Sequence, residues 1–125
     1  MKTCILALAL SLPSCSAALA QAALPPALVG AWCGIAGEER RIDIARTGYE
    51  EGDGVCTAKT ASLTTGDGLS TYAVRFTCDA GVEGRKPAER VERFTLLKNE
   101  TERLIYRQGS LYEPKLTAVY RPCKS

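Results

Sequence analysis

Cys56 and Cys78 lie equally far along the chain from Asp67, the middle residue of Gly66-Asp67-Gly68. The segments that flank this turn, 56–62 and 70–78, have the composition of strands. In the second, Tyr72, Val74 and Phe76 share one face, and Thr71, Ala73, Arg75 and Thr77 share the other. A hairpin centred on Asp67 therefore sets Cys56 opposite Cys78. Directly opposed residues have Cα atoms about 4.5–5.5 Å apart, which a disulfide spans. The same register opposes Ala58 to Phe76, Thr60 to Val74 and Ser62 to Tyr72 on the cysteine face. It opposes Lys59 to Arg75 on the other face, which must be wet to tolerate two like charges.

The compartment follows from the start of the chain. Lys2, the apolar run Cys4–Leu12 and the small residues of Ala18-Leu19-Ala20 read as a signal peptide over residues 1–20, cleaved near Ala20. The run is shorter than the roughly 20 residues of a membrane span. The alanine-rich leader points to a bacterial protein that is periplasmic or secreted. Leu12-Pro13-Ser14-Cys15 has the outline of a lipoprotein box, but Pro13 argues against a lipid anchor at Cys15. Cleavage would remove Cys4 and Cys15 and leave Cys33, Cys56, Cys78 and Cys123. An even number of cysteines in an exported chain points to disulfides. With Cys56 and Cys78 paired, Cys33 pairs with Cys123 and joins the first strand to the last. Zinc is not expected, since the cysteine spacings do not fit a site and the chain has no His.

After the leader, residues 21–27 read as an extended N-terminal arm stiffened by Pro25-Pro26, and residues 28–125 as a single disulfide-stapled β domain. Short strand-like segments follow one another from Leu28-Val29-Gly30-Ala31-Trp32-Cys33 to Lys115–Arg121. They are separated by turns at Thr47-Gly48, Glu51–Gly54, Gly66–Gly68, Lys98–Glu100 and Gln108–Ser110. Pro87-Ala88-Glu89-Arg90 has the make-up of a helix start. No helix-period segment separates the strands, so parallel βαβ units are excluded. The expected fold is all-β: an antiparallel meander of seven or eight strands, a closed barrel in preference to a two-sheet sandwich.

The residues that could carry chemistry are few. Without His the chain lacks the commonest general base and the usual partner of a nucleophile. Glu38-Glu39 and Glu50-Glu51 are neighbours in loops and Asp43 sits in a strand. Adjacent carboxylates in an extended segment point apart, and solvated charge is the expectation for them. Gly52-Asp53-Gly54 and Gly66-Asp67-Gly68 open no helix and read as turns, not phosphate or calcium loops. The stretch Glu83–Arg93 mixes signs and reads as a wet surface. The formal net charge of +2 gives no basic excess for nucleic acid. The reading is a non-catalytic domain with no cofactor and no metal, whose partner is another protein. A small-ligand carrier and an envelope structural or stress protein are the alternatives.

Leu28-Val29-Gly30-Ala31-Trp32, a Leu-x-Gly-x-Trp opening behind Leu24-Pro25-Pro26, resembles the entrance of calycin barrels, which include the lipocalins. With the short domain that follows, it is most similar to the small secreted bacterial inhibitors of metalloproteases. The resemblance implies an eight-stranded barrel, with Gly30 and Trp32 as structural residues at its entrance. It also implies an N-terminal segment that enters a protease cleft, here Ala23, Leu24, Pro25 and Pro26. Calycins pack a late-strand Arg over the Trp, and Arg121 is the candidate. A Cys33–Cys123 bridge would put Arg121 on the strand face away from Trp32. Four cysteines also exceed the single bridge of those inhibitors. A barrel this narrow is filled by its own side chains.

Overall fold

The computed structural model describes residues 23–35, 40–98 and 103–124. The leader with Cys15 and its cleavage site, Gln21 and the pair Glu38-Glu39 lie outside the described residues. Among the described residues the chain forms eight strands: β1 (Gly30–Gly34), β2 (Arg41–Ala45), β3 (Gly48–Glu51), β4 (Gly54–Gly66), β5 (Leu69–Asp79), β6 (Ala88–Lys98), β7 (Arg103–Gln108) and β8 (Thr117–Pro122). Each pairs antiparallel with the next, and β8 returns to β1, so the meander closes into a barrel.

The interior is set by alternation. In β2 the pattern is exposed-buried-exposed-buried-exposed, with Ile42 and Ile44 inside. Trp32, Tyr49, Ala58, Val74, Phe76, Phe94, Ile105 and Tyr120 fill the rest of the core. Tyr49, Phe76 and Phe94 meet edge to face, with ring centroids 5.1–6.5 Å apart, the arrangement their quadrupoles favour. Leu111, from the loop between β7 and β8, is 5% exposed and lies against Gly54 at one end of the barrel.

Two expectations change. Ala88–Lys98 is strand from its first residue, so Pro87–Arg90 starts no helix. The ladder to β5, which opposes Ala88 to Cys78 and Arg90 to Phe76, overrides the local capping signal. β3 falls where the sequence shows mostly turn, because only four residues separate the turns on either side. Gly48 in this strand sits where a Cβ would collide with the Cys56 carbonyl oxygen. Only glycine lets the two backbones approach that closely.

The central hairpin has the expected cysteine pairing by a different route. Its turn is the two-residue Asp67-Gly68, closed by Gly66 opposite Leu69. Both turn residues have positive φ, 52° and 77°, as a type I′ turn requires. Cys56–Thr57–Ala58 face Cys78–Thr77–Phe76 as expected. A bulge between Ala58 and Thr60 then shifts the ladder by one residue, so Thr60 faces Arg75, Ala61 faces Val74 and Leu63 faces Tyr72. The expected pairs Thr60–Val74, Ser62–Tyr72 and Lys59–Arg75 are therefore absent. The extra residue in β4 offsets a turn centre half a residue beyond Asp67, which is why the cysteines still meet.

Both bridges form: Cys56–Cys78 with Cα atoms 4.0 Å apart, and Cys33–Cys123 with Cα atoms 5.0 Å apart. The second ties β1 to the end of β8 across a sequence separation of 90, against 22 for the first. In chain-entropy terms it contributes roughly 4–5 kcal/mol, against roughly 3 for the hairpin bridge. The double variant Cys33→Ser, Cys123→Ser should therefore lose about that amount in guanidinium unfolding. A loss under ~1 kcal/mol would show that strand pairing alone constrains the barrel's seam.

Candidate functional site

Alternation also sends charged side chains inward. Arg107 lies two residues beyond Ile105 in β7, Glu92 two before Phe94 in β6, and Glu51 two beyond Tyr49 in β3. All three follow their apolar neighbours into the barrel: Arg107 is 0%, Glu92 1% and Glu51 9% exposed. This corrects the expectation that Glu51 and the Glu83–Arg93 stretch are wholly solvated. Glu50, next to Glu51, does point out. Asp43, on the outer face, pairs with exposed Arg41.

The guanidinium of Arg107 organises this interior. Its Nη2 donates to Glu51 Oε1 at 2.9 Å and to Glu92 Oε1 at 3.4 Å. Its Nη1 donates to Glu51 Oε2 at 3.2 Å and to the Tyr120 hydroxyl at 3.1 Å. The Tyr49 hydroxyl donates to Glu92 Oε2 at 2.5 Å. The guanidinium carbon lies 4.9 Å from the Tyr49 ring centre and 5.7 Å from that of Tyr120, so both rings face a cation. Burial works against the charge on Arg107, but the bonds to Glu51 and the neighbouring charges hold it firmly protonated. Burial pushes the Glu92 carboxyl up to about 7, against the pull of Arg107 and the Tyr49 hydrogen bond. Burial and then the charge of Glu92 raise the Tyr49 hydroxyl well above its usual range.

A carboxyl near 7 beside a cation is a familiar acid–base pair, but this one is enclosed. Glu92 also lies within 4.8 Å of the sulfurs of Cys56 and Cys78. A thiolate is what binds a metal, and both sulfurs are committed to a disulfide. Within the packed core the cluster's charges satisfy one another. Period-2 counting from Ile105, Phe94 and Tyr49 was the signal that could have placed it.

The other end of the barrel holds the residues singled out at the N-terminus. Pro26–Leu28 form a single 3₁₀ turn, with Pro26 in its first position, where proline is best tolerated. Leu24 and Leu28 are 1% and 0% exposed. The Leu24 N–H donates to the Arg46 carbonyl at 2.8 Å. Trp32 Nε1–H donates to the Leu28 carbonyl at 2.8 Å. Arg103, from β7, sits over the Trp32 ring at 5.1 Å and reaches the Ala27 carbonyl. Arg121 is exposed and opposes Cys33 on the outer face, so the arginine over the tryptophan is Arg103. The arm is thus not extended throughout: from Leu24 onward it is fastened to the barrel, and Leu24 belongs to the core. Ala23 and Pro26 remain exposed and Pro25 half-buried. Trp32 is buried in the core, and Gly30 is the first residue of β1.

A groove of about 450 Å³ runs along the outer face of β1–β4. Ala31, Ala45, Val55 and Thr57 line it, together with Asp43 and Glu50, which oppose each other across β2 and β3. Like charges in that position cost stability, and the small residues around them leave the groove open.

The proton on Glu92 has a thermodynamic consequence. Its folded value near 7 lies above its ordinary 4.5. Between those values the folded chain keeps a proton that the unfolded chain releases, so stability falls as pH rises from about 4.5 to about 7 and then levels off. The contribution amounts to ~3 kcal/mol. Glu92→Gln should flatten this part of the stability–pH curve measured by urea unfolding; an unchanged slope would place the titration elsewhere. Arg107→Ala should cost roughly 3–5 kcal/mol, because it leaves two buried carboxyl groups without their cation.

A scan against protein-family models, a search of curated proteins and a search of solved structures each found no match for this chain.

Proposed function

We propose that this chain is a non-catalytic binding domain of an oxidising compartment, and that its contact surface lies at the end of the barrel that carries the N-terminal arm. The single observation that carries the reading is how the arm is held. Leu24, Leu28 and the Leu24–Arg46 hydrogen bond anchor it to the barrel, while Ala23 and Pro26 stay exposed. A segment fixed at its base and stiffened by two prolines loses little entropy on docking. The two disulfides favour the periplasm or the exterior over a reducing cytosol.

Protease inhibition is the sharpest form of this reading. The Trp32–Arg103 contact and the closed eight-strand meander support this form of the reading. In this form, residues 21–23 would enter the cleft, joined to the barrel at the Leu24 anchor. Interior ligand carriage fits less well, because a carrier needs a cavity of roughly 300 Å³ or more. Here Trp32, Arg107, Tyr49, Tyr120, Phe76 and Phe94 occupy the barrel. The enclosure of Arg107 and Glu92 likewise counts against catalysis by that cluster.

Removing residues 21–27 would take Leu24 from the core, so the discriminating variant lacks residues 21–23 only. It should keep the wild-type unfolding midpoint and lose inhibition of a secreted bacterial metalloprotease by at least tenfold. A wild-type protein that inhibits none of a panel of such proteases would end the inhibitor reading. Inhibition that survives the deletion would move the contact surface off the arm.

A further inference from the structure

We propose that the free edge of β4 joins two copies of this chain through antiparallel strand pairing centred on Leu63. β3 pairs with β4 only as far as Thr57, with a last bond from the Ala58 N–H to the Thr47 carbonyl at 2.9 Å. β4 continues for a further eight residues, to Gly66, paired among the described residues on one side alone, with β5. Residues 59–69 are exposed throughout, so the hairpin projects beyond the barrel.

The turn fixes which groups are free. In a two-residue hairpin the residues flanking the turn, here Gly66 and Leu69, exchange hydrogen bonds. Thr64 and Ser62 follow in step, with their backbone groups aimed at β5. Ala61, Leu63 and Thr65 therefore turn their N–H and C=O groups to the open side. The bulge keeps that side the same one that Ala58 uses toward β3. Protein edges are usually guarded by proline, by charge or by shortness. From Thr60 to Gly66 this edge has no proline and no charged residue.

The occupant follows from symmetry and charge. A two-fold register on Leu63 places Leu63 against its counterpart and Ala61 against Thr65. Every free donor and acceptor of those three residues is then used in both copies. A shift along the edge in either direction strands one of them. The same register brings Lys59 of each copy level with Asp67 of the other, the two charges that bound the uncharged stretch. Leu63 is 53% exposed and lies on the face shared with Tyr72 and Val74, so pairing covers two leucines at once. An unrelated extended peptide would satisfy the backbone but has no reason to match both charges.

Sedimentation equilibrium of the purified protein, from micromolar to millimolar, tests this. A concentration-dependent dimer is expected. Leu63→Pro removes an N–H that β5 does not use, in an edge position where proline is tolerated, and should weaken the dimer at least tenfold. Leu63→Cys should form an intermolecular disulfide on air oxidation, while Ser62→Cys, which faces Thr64, should not. The crosslinking pair keeps the test decisive if the proline variant unfolds. A wild-type protein monomeric at millimolar concentration would overturn the proposal, as would a dimer in which Ser62→Cys crosslinks as well as Leu63→Cys.

Discussion

The barrel depends on one cation. Arg107 is fully buried, and four of the eight strands reach it: β3 through Tyr49 and Glu51, β6 through Glu92, β8 through Tyr120, and β7 from which it comes. An interior arginine is costly to desolvate, and the cost is met only if each hydrogen-bonding direction is used. Four donor contacts and two ring faces meet most of it, and among the described residues the Nε proton finds no acceptor. Burial is the main reason that Glu92 keeps its proton up to about 7. Arg107 pulls against that burial at a longer distance, since it lies 3.4 Å from Glu92 and 2.9 Å from Glu51.

The two ends of the barrel are closed by different means, and this separates stability from contact. At one end the β7–β8 loop brings Leu111 against Gly54, and Ser110 Oγ accepts from the N–H groups of Tyr112 and Glu113. That end is held by hydrogen bonds within the loop. At the other, Leu24 and Leu28 plug the opening, and Arg103 lies across Trp32. The plug is the arm itself, and the Leu24 N–H fixes it near Arg46.

Much of the fold was legible because period-2 alternation and turn residues are local. The strand reading around Asp43 matches β2, and the symmetric cysteines point to the hairpin and, through the remaining pair, to closure of the barrel. What failed did so for non-local reasons. The helix-start signal at Pro87–Arg90 is real as local chemistry, but the ladder to β5 supplies more hydrogen bonds than one capped turn. Weighed residue by residue, the charge of Glu51 and Glu92 reads as surface, and Arg107 carries no signal of its own. Their inward direction follows from parity with Ile105, Phe94 and Tyr49, and their stability follows from one another across three strands. Leu24 was read as a contact residue, since nothing in Leu24-Pro25-Pro26 states that a 3₁₀ turn will carry Leu28, and Leu24 with it, into the barrel mouth.

The bulge in β4 was invisible for a deeper reason, and it decides more than a register. β3 has four residues and β4 thirteen, so a closed barrel cannot cover β4 along its length. Without the bulge, Leu63 would point to the outer face and Ser62 and Thr64 inward, since a one-residue slip reverses every side chain. With it, Leu63 shares the face of Val74 and Tyr72. The turn Asp67-Gly68 is free to take its preferred form because the added residue absorbs the mismatch between that turn and the cysteine pair. Disulfide, bulge and turn are therefore one constraint: fixing Cys56 opposite Cys78 and requiring a type I′ turn leaves an odd residue in β4. It falls where β3 ends, at Lys59, because a bulge there disrupts no ladder on the open side.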